Sequence, residues 1–348
     1  MKTLETGDNG PSQKMKNIKS LPELFTLVIA TFACYLFIET QIDLSSLDSV
    51  GDLSSIDLIV ISFLFSILIA VIAVIAGVGG GVIFTPILLA FTSIDTLIIR
   101  STGLVVAMFS GLVSTGPLMR KGLADVKLVF LGALPIIIGG MLGSLSAIYL
   151  AKHLGETSDA VVRLLLGILL VFIAALFIFS GKNMEYPTAQ TRDSLAMRLK
   201  LRHIYWEDSL KSTISYKAIH IKMAVFLFLV VGFTGGFFGL GGGWAVVPVL
   251  NLVMSIPLKV STASSGVLLA LGNAAAIWPY INAGALIGIV AAPWMLGQVV
   301  GGIIGAHILA SVKASVVRNI LITMLLASSL KLIGRGLETL TGIEIPII

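Results

Sequence analysis

The residues best suited to chemistry lie in two glycine clusters. Gly77-Val-Gly-Gly-Gly-Val-Ile-Phe-Thr-Pro86 recurs as Gly239-Leu-Gly-Gly-Gly-Trp-Ala-Val-Val-Pro248, each inside a strongly apolar stretch where an ordinary helix would break. Glycine admits positive φ and the close approach of a ligand. Where a helix restarts after such a break, its first N–H groups lack partners and carry roughly half a positive charge. A terminus of this kind binds anions without any charged side chain. The chemistry on offer is oxyanion recognition by backbone groups: Gly79, Gly80, Gly81 and Val82 in one cluster, and Gly241, Gly242, Gly243 and Trp244 in the other.

Two other readings compete with this one. A phosphate-binding loop needs a closing Gly-Lys-Ser/Thr, and a dinucleotide fold needs G-x-G-x-x-G within a βαβ unit and a later acidic residue. Neither context surrounds these clusters, so a nucleotide site is excluded. Small residues also let membrane helices approach closely. That accounts well for Gly139, Gly140 and Gly143 and for Gly301, Gly302 and Gly305. It stays open for the clusters, although three successive glycines break a helix rather than smooth its face.

The polar residues within the apolar runs are neutral. Ser101, Thr102, Ser264, Ser265, Asn273 and Gln298 are the side chains expected to complete the site, with the two amides foremost because they are the costliest to bury. For each hydroxyl the alternative is a bond to its own helix backbone. Ser110, Ser114, Thr115, Ser261 and Trp278 lie at similar depth. Arg100 and Lys259, just before the serine-bearing helices, are expected as interfacial cations that raise the anion concentration at a vestibule. No HExxH, aspartate pair or Ser/His constellation supports an enzyme, and no cofactor or metal is expected.

Elements of a particular kind must position these groups. The 348 residues are 57% hydrophobic and 12% charged, and mean hydropathy is +1.03; both lie outside the range of water-soluble domains. Apolar runs of membrane-spanning length occur near 22–39, 57–76, 101–119, 128–150, 161–180, 221–238, 262–281, 286–310 and 316–334. The net charge of +5 reflects Lys and Arg gathered on the cytoplasmic face and calls for no nucleic-acid partner. Cys34, the single cysteine, excludes an intrachain disulfide. The run at 22–39 follows Lys14, Lys16 and Lys19 without an A-x-A-like cleavage site and reads as a retained anchor helix.

The clusters stand 162 positions apart (239 − 77), and the match continues from "STGLVVAM" at 101–108 to "SSGVLLAL" at 264–271. Loop charges set the orientation of the two halves. Arg120, Lys121 and Lys127 lie in one short loop and seven Lys and Arg lie between Lys182 and Lys217, so both segments belong inside. That placement holds if 57–93 is a hairpin that dips in from outside and returns, and 220–255 one that enters from inside. The expected fold is an all-α integral membrane protein of two inverted-topology repeats, each a glycine-broken helical hairpin plus three transmembrane helices, with one extra N-terminal transmembrane helix. Its segments are 1–56 (tail, extra helix, outer loop), 57–180 (first repeat), 181–219 (basic cytoplasmic linker), 220–334 (second repeat) and 335–348 (tail). The N-terminus is expected in the cytoplasm and the C-terminus outside. Within the linker, 194–210 reads as an amphipathic helix on the inner leaflet.

Doubled G-x-G-G-G-x-x-x-x-P segments, each leading into an "STG" or "SSG" helix, resemble the sulfite exporter TauE/SafE family over about 57–334. The N-terminal helix and the long 181–219 linker depart from it. The resemblance implies a cell-membrane carrier that exports sulfite or an organosulfonate such as sulfoacetate. A channel-like anion pore, or a transporter of another small carboxylate or oxyanion, is the alternative. The partners expected are a small anionic substrate and membrane lipids, with a homodimer as an option.

Overall fold

In a computed structural model of the chain, the described residues are 55–76, 79–92, 94–120, 122–179, 193–199, 201–207, 212–308 and 314–342. The N-terminal helix expected at 22–39, with Cys34, lies outside them, as do Lys121, Lys182 and Lys313. The helices are α1 (Ser55–Ala76), α2 (Gly81–Phe91), α3 (Thr96–Arg120), α4 (Val126–Leu154), α5 (Glu156–Phe179), α6 (Ser194–Arg198), α7 (Ile221–Phe238), α8 (Gly243–Pro248), α9 (Leu258–Asn282), α10 (Gly288–Ile308) and α11 (Ala314–Thr341). Strands β1 (Arg202–Glu207) and β2 (Ser212–Lys217) stand between α6 and α7, and α8 runs on into a π turn at Val249–Val253. Among the described residues, six helices are long and apolar enough to cross a membrane: those at α3, α4, α5, α7, α9 and α10.

Helix starts follow from local chemistry. Asp95 accepts from the N–H groups of Leu97 and Ile98 at the head of α3, and Asp125 accepts from Lys127 N at the head of α4. Side-chain acceptors of this kind satisfy donors that the helix cannot. At the far end of α4, Gly155 takes φ 50° and stops the helix before Glu156 restarts the next.

Small residues decide how the long helices pair. Gly297, Gly301 and Gly305 of α10 lie against Ser66, Ala70 and Val74 of α1 in the same chain direction. Likewise Gly232 and Gly236 of α7 rest on Ile136 and Gly140 of α4, and Gly143 lies on Phe233 and Phe237. Those glycines are packing residues, as their spacing suggested. Two further pairs run antiparallel. Gly167 of α5 meets Ser329 and Ile333 of α11, while Gly336 meets Ala160 and Leu164. For α3 and α9, Ser101 Oγ donates to Ala285 O at 2.9 Å at one end, and Gly111 meets Gly266 and Leu269 further along.

The second broken segment is a hairpin that returns to where it began, since Ile219 N donates to Met254 O at 3.2 Å. In the first, α2 runs back antiparallel to α3, with Gly81 beside Ala107 and Thr85 beside Gly103. With 22 residues, α1 is about 33 Å long, so the turn after it lies deep.

The linker corrects one expectation. Residues 194–210 do not form one amphipathic helix: α6 is a single short turn, and β1 pairs antiparallel with β2 from Arg202↔Lys217 to Glu207↔Ser212. Aromatic and β-branched residues at alternate positions favour a strand over a helix. Tyr205 and Tyr216 face inward between exposed Ile204 and Ser215. Tyr216 OH donates to Asp125 Oδ2 at 2.7 Å, which puts the linker and the loop before α4 at the same end of the bundle. Burial, then the bond to Asp125, pushes the Tyr216 phenol above its usual range.

Candidate functional site

Each glycine cluster forms a tight turn at a helix restart. Gly79 has φ +81°, a left-handed backbone that favours glycine, and a Cβ there would meet nothing within 4 Å. Gly80 donates its N–H to Ser110 Oγ at 3.1 Å, and its carbonyl accepts from Ile83 N and Phe84 N at 3.2 and 2.9 Å to open α2. Gly81 and Val82 thus stand at the helix start, where N–H groups have no preceding helical carbonyl. In the other cluster Gly239 and Gly241 have φ +71° and +67°, and Gly242 O accepts from Ala245 N and Val246 N at 3.1 and 3.0 Å to open α8. Gly243 and Trp244 occupy the equivalent start.

The two turns meet at Ala107, near the middle of α3. A Cβ on Gly81 would lie 2.8 Å from Ala107 Cβ and would strike Leu240 O of the other turn; a Cβ on Gly241 would lie 2.6 Å from Ala107 Cβ and 3.0 Å from Asn273 Nδ2. Thr85 Oγ1, on α2, donates to Gly239 O at 2.7 Å and fastens one broken segment to the other. Gly81 and Gly241 allow the contact between the turns, while Gly79 faces open space.

Several buried polar side chains on the elements that carry the two turns have no hydrogen-bond partner among the described residues. Asn273 Nδ2, beside Gly241, and Trp244 Nε1, in the first turn of α8, are buried donors. Gln298, fully buried, sets its Oε1 against Gly80, where a Cβ would fall on it. Thr102 Oγ1, on α3, is likewise unpartnered and buried. Leaving such groups unpaired costs about 1–3 kcal/mol each, and two of them, Asn273 Nδ2 and Gln298 Oε1, lie directly beside the glycine turns.

The serines among the expected residues have hydrogen-bond partners within the protein. Ser101 donates to Ile98 O and Ala285 O, and Ser265 to Thr262 O. Ser264 Oγ accepts from Asp125 N at 3.0 Å and so ties α9 to the loop before α4. Lys259 is exposed on the first turn of α9.

Arg100 is not at an interface: it is wholly buried. Its Nη1 donates to Phe237 O at 3.2 Å and its Nε to Thr96 O at 3.1 Å, with the guanidinium 6.0 Å from the Phe237 ring. Thr96 Oγ1 accepts from Arg100 Nη2 and donates to Asp159 Oδ1 at 2.7 Å. The cation thus caps the negative end of α7. Sequence reasoning placed Arg100 outside the bundle because it counted the helix from Ser101, whereas Asp95 starts it a turn earlier. Ser110 was visible only as one neutral hydroxyl among several, and Ala107 had no chemical signal at all.

Membrane-crossing helices around broken helices that meet at the centre of the bundle are the construction of membrane transporters. The chain belongs to the sulfite exporter TauE/SafE family, whose pattern matches residues 62–332. It is 28% identical over 196 residues to the probable membrane transporter protein YunE of Bacillus subtilis (strain 168), a match covering 54% of this chain and 66% of that protein. No solved structure matches the chain.

Proposed function

We propose that this transporter exports small sulfur-containing oxyanions, sulfite or organosulfonates, from the cytoplasm by alternating access. The anion is held where the two helix starts converge at Ala107. The observation that carries this reading is the pair of buried donors, Asn273 Nδ2 and Trp244 Nε1, unpartnered beside two uncapped helix starts. An oxyanion supplies acceptors to all of them and a charge that both helix ends stabilise.

Inverted repeats support the cycle. Matching helices of the two halves, α3 with α9 and α5 with α11, run antiparallel where they touch, as a two-fold axis in the membrane plane requires. The N-terminus lies in the cytoplasm and the C-terminus outside the cell membrane. An anion leaving a cell with a negative interior moves downhill by about 2.3 kcal/mol per charge per 100 mV, so the membrane potential drives export.

A thermal-shift panel of sulfite, sulfate, sulfoacetate, taurine and carboxylates on purified protein tests the substrate class, with stabilisation expected from sulfite or a sulfonate. Proteoliposome efflux tests the driving force. Efflux that persists at zero potential yet collapses without a pH gradient overturns the potential-driven mechanism, and single-channel currents without saturation would replace the carrier with a pore.

A further inference from the structure

Gln298 Oε1 is a buried acceptor left without a donor among the described residues beside the glycine turns, and its neighbours fix which way its amide points. Nε2 lies 3.3 Å from Ser66 O and 3.2 Å from Ser66 Oγ, while Ser66 Oγ donates its only proton to Trp294 O at 2.6 Å. Turning the amide over would set Oε1 against two acceptors, a carbonyl and a hydroxyl whose proton is already committed. Oε1 must therefore face Gly80, and there it has no donor among the described residues. The site so defined is asymmetric: Asn273 Nδ2, Trp244 Nε1 and the helix starts offer protons, and Gln298 Oε1 asks for one.

We infer that the site selects oxyanions that carry a hydrogen-bond donor of their own, a protonated monoanion of the X–OH type, over anions of equal shape and charge that lack one. The inference rests on the anion-site reading above. A bare oxyanion sets an oxygen lone pair against Oε1 and leaves that acceptor unpaired, whereas an O–H closes the set. A site that hydrogen-bonds a substrate hydroxyl discriminates sharply against the analogue without it, because its own buried group is then left unsatisfied. Gln298 is on this view a specificity-determining residue, held in register by Ser66.

Singly protonated methylphosphonate and methanesulfonate are both tetrahedral monoanions and differ by one O–H, so they make the test. Binding of each to the purified full-length protein is measured by calorimetry in mildly acidic buffer, for wild type and for Gln298→Met, which keeps the length and removes the acceptor. Wild type is expected to bind methylphosphonate about tenfold more tightly, equivalent to ~1.4 kcal/mol, and the ratio is expected to fall towards one in the variant. Equal wild-type affinities, or a ratio unchanged in Gln298→Met, overturn the role of Gln298 and leave the anion site standing. Failure of wild type to bind either anion overturns the site itself. The wild-type ratio decides alone if the variant does not fold.

Discussion

Alanine at Gly81 separates a site built by two meeting turns from turns that merely happen to be close. Its Cβ would sit 2.8 Å from both Ala107 Cβ and Gly103 O, and against Leu240 O of the second turn. Two of those three neighbours are backbone, so they cannot swing aside; relief requires the turns to part by something on the order of an ångström. Overpacking of this kind costs about 1–3 kcal/mol, offset by up to about 1 kcal/mol because alanine suits a helix better than glycine. Gly79→Ala is the matched control. It meets no neighbour within 4 Å but must hold φ +81°, costing about 1–2 kcal/mol. The two variants thus lose similar stability by different routes, and only Gly81→Ala spreads the turns. Melting of both in detergent, with and without the stabilising anion, should show comparable loss of Tm without ligand. Ligand-induced stabilisation should be abolished in Gly81→Ala and largely kept in Gly79→Ala. Wild-type ligand shifts and efflux in Gly81→Ala would refute the idea that the meeting of the turns builds the site.

Other perturbations probe the surrounding structure. Tyr216→Phe deletes the donor to the buried Asp125 carboxylate and should cost about 1–3 kcal/mol, read as earlier proteolysis of the linker. Because the Tyr216 phenol is held above its ordinary range by burial and Asp125, the stability it lends is fully present below the free-tyrosine pKa and is lost as pH rises through the raised value. A melt series at alkaline pH should show that loss in wild type and not in the phenylalanine variant. Arg100→Lys keeps the charge but not the fork that reaches Phe237 O and Thr96; it should lower Tm, whereas a vestibule cation would alter only the salt dependence of uptake. In a chain with Cys34 replaced, cysteines at Lys222 and Leu252, both exposed and at the two ends of one hairpin, should be labelled from the same side of the membrane and one at Asp95 from the opposite side.

Sequence pattern revealed most of the frame, because its signals were long or repeated. The doubled glycine segments, the apolar runs that became α3, α4, α5, α7, α9 and α10, and the small-residue stripes at Gly139–Gly143 and Gly301–Gly305 all rest on spacing, which folding preserves. What stayed hidden depends on partners distant in the chain. Ser101 and Ser264 looked like ligand groups until Ala285 O and Asp125 N claimed them. Conversely, Asn273 and Gln298 were legible as costly buried amides, and their positions beside Gly241 and Gly80 give that cost a location. The linker misled because Leu, Ile, Tyr and Trp among basic residues fit an interfacial helix and a strand equally in composition. Only the alternation in 202–217 tells them apart.

If the proposed alternating-access cycle operates, the pairing of helices predicts which bodies move against each other. Each long hairpin arm is packed by glycines onto the second crossing helix of the other sequence half, α1 on α10 and α7 on α4. Next to these, Gly302 of α10 lies on Val113 of α3, while α4 and α9 are joined by Gly132 on Leu268 and by Gly272 on Ile136. Two groups result, α1–α3–α10 and α4–α7–α9, each drawn from both repeats, and the glycine turns face one another across the α3–α9 seam. Rocking of one group on the other keeps α1 on α10 and α7 on α4 and works at the α3–α9 contact, whereas movement of whole sequence halves would tear both glycine stripes. A cross-link distinguishes these motions. With Cys34 replaced, Gly111→Cys with Leu269→Cys bridges the seam, where a Cβ on Gly111 would lie 3.5 Å from Leu269 Cβ, within disulfide reach. Val74→Cys with Gly305→Cys, 3.2 Å apart on the same measure, joins helices inside one group. Oxidation should stop efflux in the seam variant and reduction should restore it, while the Val74/Gly305 pair transports in either state. Efflux that survives oxidation across the seam, or stops with the bridge inside the group, means that the mobile units are drawn wrongly.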